Sequence, residues 1–106
     1  MKHNHWTILK FRGDVNKISF NVDEAKQIAD ALKIDFSKEK FSLEEFAMGI
    51  NVELEHGTRF PNANVTNNDP ILTGKIALAH LTEFPDYYTR LKKFEEEAKS
   101  YWSKIL

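Results

Sequence analysis

Apolar positions along the chain recur in two rhythms. Trp6–Phe11 (WTILKF) and Lys17–Phe20 (KISF) are short runs of β-formers on either side of a polar turn holding Gly13, Asp14 and Asn16, which predicts an N-terminal β-hairpin. From Asn21 onward the apolar spacing becomes three and four residues, the helical period. Asn21 is a good N-cap with Glu24 three residues on, and Val22, Ala25, Ile28, Ala29 and Leu32 then share one stripe, giving a helix of about 12 residues, an ordinary length. Ser42 with Glu45 spells a capping box, and Phe41 with Phe46 a hydrophobic staple. The helix they open buries Leu43, Phe46, Ala47, Ile50 and Leu54, and Gly57 is its expected stop.

A polar loop, Thr58–Asn68, is long enough to predict either a function or a packed Ω-like excursion. Asp69-Pro70 then caps and starts a third helix running to Phe84, apolar nearly all round and therefore expected to be central. Pro85 ends it, and Asp86 begins a last helix with an apolar stripe of Tyr87, Leu91, Phe94, Ala98, Tyr101, Trp102 and Ile105. These elements predict a mainly α (α+β) fold, a compact bundle of four helices with the β-hairpin packed on one side. Residues 1–20 form the hairpin extension and residues 21–106 the helical domain, as one folding unit.

Composition narrows the function classes. Fifteen basic against 16 acidic residues leave a net charge of -1, so no global field draws in nucleic acid or an anionic membrane. The absence of cysteine removes disulfides, thiolate ligands and a cysteine nucleophile, and fits a reducing compartment. No stretch approaches the roughly 20 apolar residues of a membrane helix, and Met1–Lys10 lacks a signal-peptide core, so the expectation is a cytoplasmic protein. The four glycines are scattered and make no phosphate-binding loop.

The chemistry-bearing signal is a pair of four-residue strings, Glu53-Leu-Glu-His56 and His80-Leu-Thr-Glu83, each placing a carboxylate and an imidazole on one helix face. Such pairs on facing helices build carboxylate-bridged metal sites in bundles. Glu83 is expected to point into the core, in the middle of the face made by Leu72, Ile76 and Ala79. Glu53, Glu55 and Glu83 all lie in last helical turns, where the helix dipole disfavours anions by about 0.3 to 1 kcal/mol each. Two readings follow. In the first, Glu53, His56, His80 and Glu83 ligate one divalent zinc, iron or manganese ion, with Tyr87 as a supporting donor; a metal-dependent hydrolase is its catalytic form. In the second, which carries more weight because buried polar groups are generally satisfied by protein partners, Glu83 is bonded by Tyr87 or His56 and pairs with Arg59, Lys75 or Arg90.

Other strings have plain explanations. Arg12-Gly13-Asp14 is a turn, His3-Asn4-His5 is not a nuclease motif, and Met1-Lys2-His3 would capture Cu(II) or Ni(II) in any chain that began so. Asn64-Val65-Thr66 is a sequon whose asparagines are expected to cap turns. Glu95, Glu96 and Glu97 interrupt the basic face of the last helix, which argues against nucleic acid and leaves Tyr101 and Trp102 for a protein partner.

From about Asn21 to Lys99 the chain resembles an uncharacterised family of small bacterial and phage proteins. The resemblance rests on Val52-Glu-Leu-Glu-His-Gly57, Asn64-Val-Thr66, Asp69-Pro70, Thr73-Gly-Lys-Ile-Ala-Leu-Ala-His-Leu81 and Glu83-Phe-Pro-Asp-Tyr-Tyr-Thr-Arg-Leu91. It implies a compact helical module in phage or prophage settings and supplies no reaction; an aspartate is frequent in that family where this chain has Asn51. The leading expectation is a non-enzymatic interaction or accessory module whose Glu/His cluster fixes helix register, with a protein partner met through the hairpin or the last helix. The competing one is a metalloprotein.

Overall fold

The computed structural model describes residues 19–105. Their helices are α1 (Val22–Ala31), α2 (Leu43–Arg59), α3 (Pro70–Glu83) and α4 (Tyr87–Ile105), with a 3-10 turn at Pro61–Ala63. The expected β-hairpin lies outside the described residues except for Ser19 and Phe20, which are not in a strand. No described residue is in a strand, so over the described residues the mixed α+β class is corrected to all-α.

Local caps act where the spacing puts them. Asn21 closes a full capping box with Glu24, and α1 ends in a Schellman motif, Ile34 N–H donating to Ala29 O and Lys33 N–H to Asp30 O, with Lys33 in the left-handed region at φ 61°. Asp69 Oδ1 accepts from the N–H groups of Ile71 and Leu72 ahead of α3, with Pro70 at the first helical position. Gly57 does not stop α2, which runs on to Arg59 and ends before Pro61, where the residue preceding a proline disfavours helix. A Cβ on Gly57 would sit 2.8 Å from Asn64 Oδ1, so this glycine allows the following loop to fold back closely. That loop is the packed excursion: Asn64 Nδ2 donates to Asn68 Oδ1, Thr66 Oγ1 to Asn64 Oδ1, and Asn68 N–H to Thr66 Oγ1.

The core joins Ile28 and Ala29 of α1, Phe46, Ile50 and Leu54 of α2, Ala77 and Leu81 of α3, and Tyr88 of α4, closed by Phe20 and Phe41. Asn51 holds Phe20 in place by accepting from its N–H (2.7 Å) and donating to its carbonyl (2.9 Å). The centre is shared. Both α2 and α3 pack on every other helix, whereas α1 and α4 flank them. The face of α3 is also corrected. Leu72, Ala79 and Glu83 are exposed, and the buried side is Thr73, Gly74, Ala77 and Leu81. In a helix apolar nearly all round, hydrophobicity selects no face; the small residues do, because a Cβ on Gly74 would meet Ile28 Cγ2 at 2.7 Å and so the α1 crossing requires glycine there.

Candidate functional site

One stripe of α2, Glu45, Gly49 and Glu53, spaced four residues apart, faces the start of α4. Each position does a different job for that helix. The Glu45 carboxylate accepts from the backbone N–H groups of Tyr88 (3.0 Å) and Thr89 (3.1 Å) and from Thr89 Oγ1 (2.8 Å), satisfying first-turn donors of α4 and placing a negative charge at its positive end. The capping box expected of Ser42 and Glu45 is thus half formed: Ser42 Oγ accepts from Glu45 N–H, while the Glu45 side chain serves another helix. Gly49 leaves room for a ring, since a Cβ there would lie 2.5 Å from Tyr88 Cε2.

Glu53 receives the end of that ring. Tyr88 is fully buried, and its hydroxyl donates to Glu53 Oε2 at 2.7 Å. With the phenol proton spent on Glu53, the Tyr88 oxygen accepts from His80 Nδ1 at 2.9 Å, which fixes the proton on that nitrogen; the same nitrogen lies 3.2 Å from Glu53 Oε2. Tyr87 stacks on His80, ring centroids 4.4 Å apart and 5° from parallel. Burial, then the hydrogen bond to Glu53 and the Glu53 charge, push the Tyr88 phenol well above its ordinary range, so it is a neutral donor throughout physiological pH. The cluster ties α2, α3 and α4 together through one oxygen, one phenol and one imidazole.

Of the four residues singled out by spacing, Glu53 and His80 are brought together. His56 lies apart from them and pairs with Glu95 of α4 at 3.1 Å, and Glu83 is exposed on the outer side of α3 instead of pointing into the core. Among the described residues no group of three or more histidine, aspartate or glutamate side chains is arranged to hold a metal ion. Of the supporting residues, Glu55 pairs with Arg59, Arg90 pairs with Asp86 and lies 4.3 Å over the Phe84 ring, and Lys75 is exposed. Tyr88, Glu45 and Gly49 were not legible as a unit. The available signal was a glycine in mid-helix, flanked at four residues on each side by glutamate, at a position where glycine costs about 1 kcal/mol relative to alanine.

Beside the cluster, Glu53 lines a cleft of about 240 Å³ with His56, Gly57, Phe60, Asn64, Thr66 and Ile76. Along the first half of α4, Phe84, Tyr87, Arg90, Leu91 and Phe94 line a second, of about 400 Å³. No described helix is long and apolar enough to cross a membrane.

The family model described as Protein of unknown function (DUF5661) matches residues 25–97. No curated protein and no solved structure matches the chain.

Proposed function

The chain belongs to the DUF5661 family, and from that premise we propose that it is a small non-enzymatic interaction module of phage or prophage origin, in which the Glu53–Tyr88–His80 cluster is a register lock. The lock holds the outward stripe of α4 as a docking face for an amphipathic partner helix. The observation that carries this reading is the use of the cluster's polar groups on one another: the Tyr88 proton goes to Glu53, and the His80 Nδ1 proton goes to Tyr88 and Glu53. A half-buried Glu–His pair spent in this way orients helices and offers no activated nucleophile. Beyond it, α4 exposes Phe94, Tyr101 and Trp102, each more than half accessible.

Hydrogen exchange on Glu53→Leu, with Tyr88→Phe as the milder change, tests the lock. Amides in the first half of α4 should exchange at least tenfold faster while α1 is unaffected, and melting should be the same in chelator as in excess zinc, iron or manganese. Unchanged α4 protection in both variants refutes the lock. A stoichiometric metal that raises the melting temperature and is lost in Glu53→Leu establishes instead the metal site of Glu53 and His80, with His56 and Glu83 recruited to it.

A further inference from the structure

We infer that the helix which docks on α4 is α4 of a second copy, running antiparallel about a two-fold axis at Phe94; this rests on the reading of α4 as a docking face. Tyr87, Phe94 and Tyr101 recur every seven residues along one side of α4, over about 21 Å at the rise of an α-helix, starting at the core edge with Tyr87 and running out into solvent. Phe94 is 65% and Tyr101 57% accessible, whereas Tyr87 is half-buried in the floor of the cleft that Phe84, Arg90, Leu91 and Phe94 complete. An antiparallel copy centred on Phe94 sets Phe94 against Phe94 and brings Tyr101 of each copy over Tyr87 of the other. The exposed knob of one copy then enters the cleft of the other, in the knob-into-hole manner of paired helices.

Charge complementarity selects this partner and this direction. Arg90 and Glu97 are also seven apart and so lie on one flank of the stripe, both exposed. In an antiparallel pair a flank faces its own equivalent, so Arg90 of each copy meets Glu97 of the other, twice by symmetry. A parallel pair would set the flank bearing Arg90 and Glu97 against the opposite flank, and would place the Tyr101 knob over Tyr101 instead of over the cleft. A single helix pair lies at the low end of specific interfaces, at or below about 1,200 Å² in total, the size of weak and transient associations.

Sedimentation of the full chain across micromolar to high-micromolar concentration, with hydrogen exchange on the same samples, tests the pairing. The wild type should form a reversible dimer. Phe94→Glu should abolish it while leaving the melting curve unchanged at concentrations low enough for the wild type to be monomeric, since this side chain is largely in solvent. Arg90→Glu and Glu97→Arg should each weaken it by about tenfold or more, because each sets like charges face to face twice. The double variant R90E/E97R should restore it, and an equal mixture of the two single variants should form the heterodimer. A wild type that stays monomeric with α4 amides protected overturns the second copy as occupant and leaves the docking face to another protein's helix. A monomer whose α4 exchanges like unstructured chain removes the docking face as well. A dimer as tight in Phe94→Glu and in Arg90→Glu as in the wild type places self-association elsewhere and overturns the inference.

Discussion

Replacing Gly49 by alanine separates local preference from tertiary packing more sharply than any other single change in this protein. In a solvated helix interior, glycine to alanine stabilises by about 1 kcal/mol. Here the new methyl would sit 2.5 Å from Tyr88 Cε2, 2.8 Å from Cδ2 and 3.2 Å from Cζ. Ordinary carbon contacts are about 3.5 to 4.0 Å, so the ring has to retreat by about 1 Å. It is fully buried, and its hydroxyl is held at 2.7 Å from Glu53 and 2.9 Å from His80, so a retreat of that size stretches both bonds beyond useful range. Overpacking costs about 1 to 3 kcal/mol and the bond to a charged acceptor about 1.5 to 3, against the 1 gained, which gives a net loss of about 1.5 to 5 kcal/mol. For a domain of this size that lowers Tm by roughly 6 °C or more. Urea melts followed by circular dichroism, run as a cycle with Tyr88→Leu, measure it. In the Tyr88→Leu background the same alanine should be neutral or stabilising, because the ring that opposed it is gone. A Gly49→Ala protein as stable as the wild type, or an equal penalty in both backgrounds, would refute the close approach of α2 and α4.

Tyr88→Phe should cost about 1 to 3 kcal/mol at neutral pH, since Glu53 and His80 lose a shared partner. Its pH dependence has a definite sign: the folded-state phenol is raised above the unfolded value near 10, so its contribution is fully present below pH 10 and declines as pH rises toward the folded value. Above pH 10 the wild type should lose about 1.4 kcal/mol per pH unit more than Tyr88→Phe, and urea melts at pH 8 to 11 whose difference stays constant would contradict it. Glu45→Ala should destabilise by about 1 to 2 kcal/mol and speed exchange of the Tyr88 and Thr89 amides, because those donors lose their acceptor; exchange rates at these two amides equal to wild type would exclude the interhelical cap.

The caps were legible because a cap is local. Asn21, Ser42 and Asp69 each bond an N–H two or three residues away, so the string that encodes the motif also contains all of its atoms. The helical periods were legible for the same reason, and with them four helices, the packed loop and the family match. Glu45 marks where this ends. Its spacing to Ser42 spells a capping box, yet its carboxylate satisfies the first turn of a helix more than forty residues on, and Ser42 and Glu45 are the same letters in either case. Of the four spaced residues, Glu53 and His80 meet, whereas His56 and Glu83 do not, because a spacing places side chains on a face of one helix and says nothing of what lies opposite.

Local pattern therefore settled which segments are helical and how they begin, since the hydrogen bonds involved close within a turn or two. The tertiary structure decided how the helices are rotated and which polar groups meet. Gly49 and Gly74 are places where a side chain of another helix packs directly on a helix backbone, and contact at those points, set by excluded volume between segments far apart in the chain, chose the inward face of α3 and brought Tyr88 to Glu53 and His80.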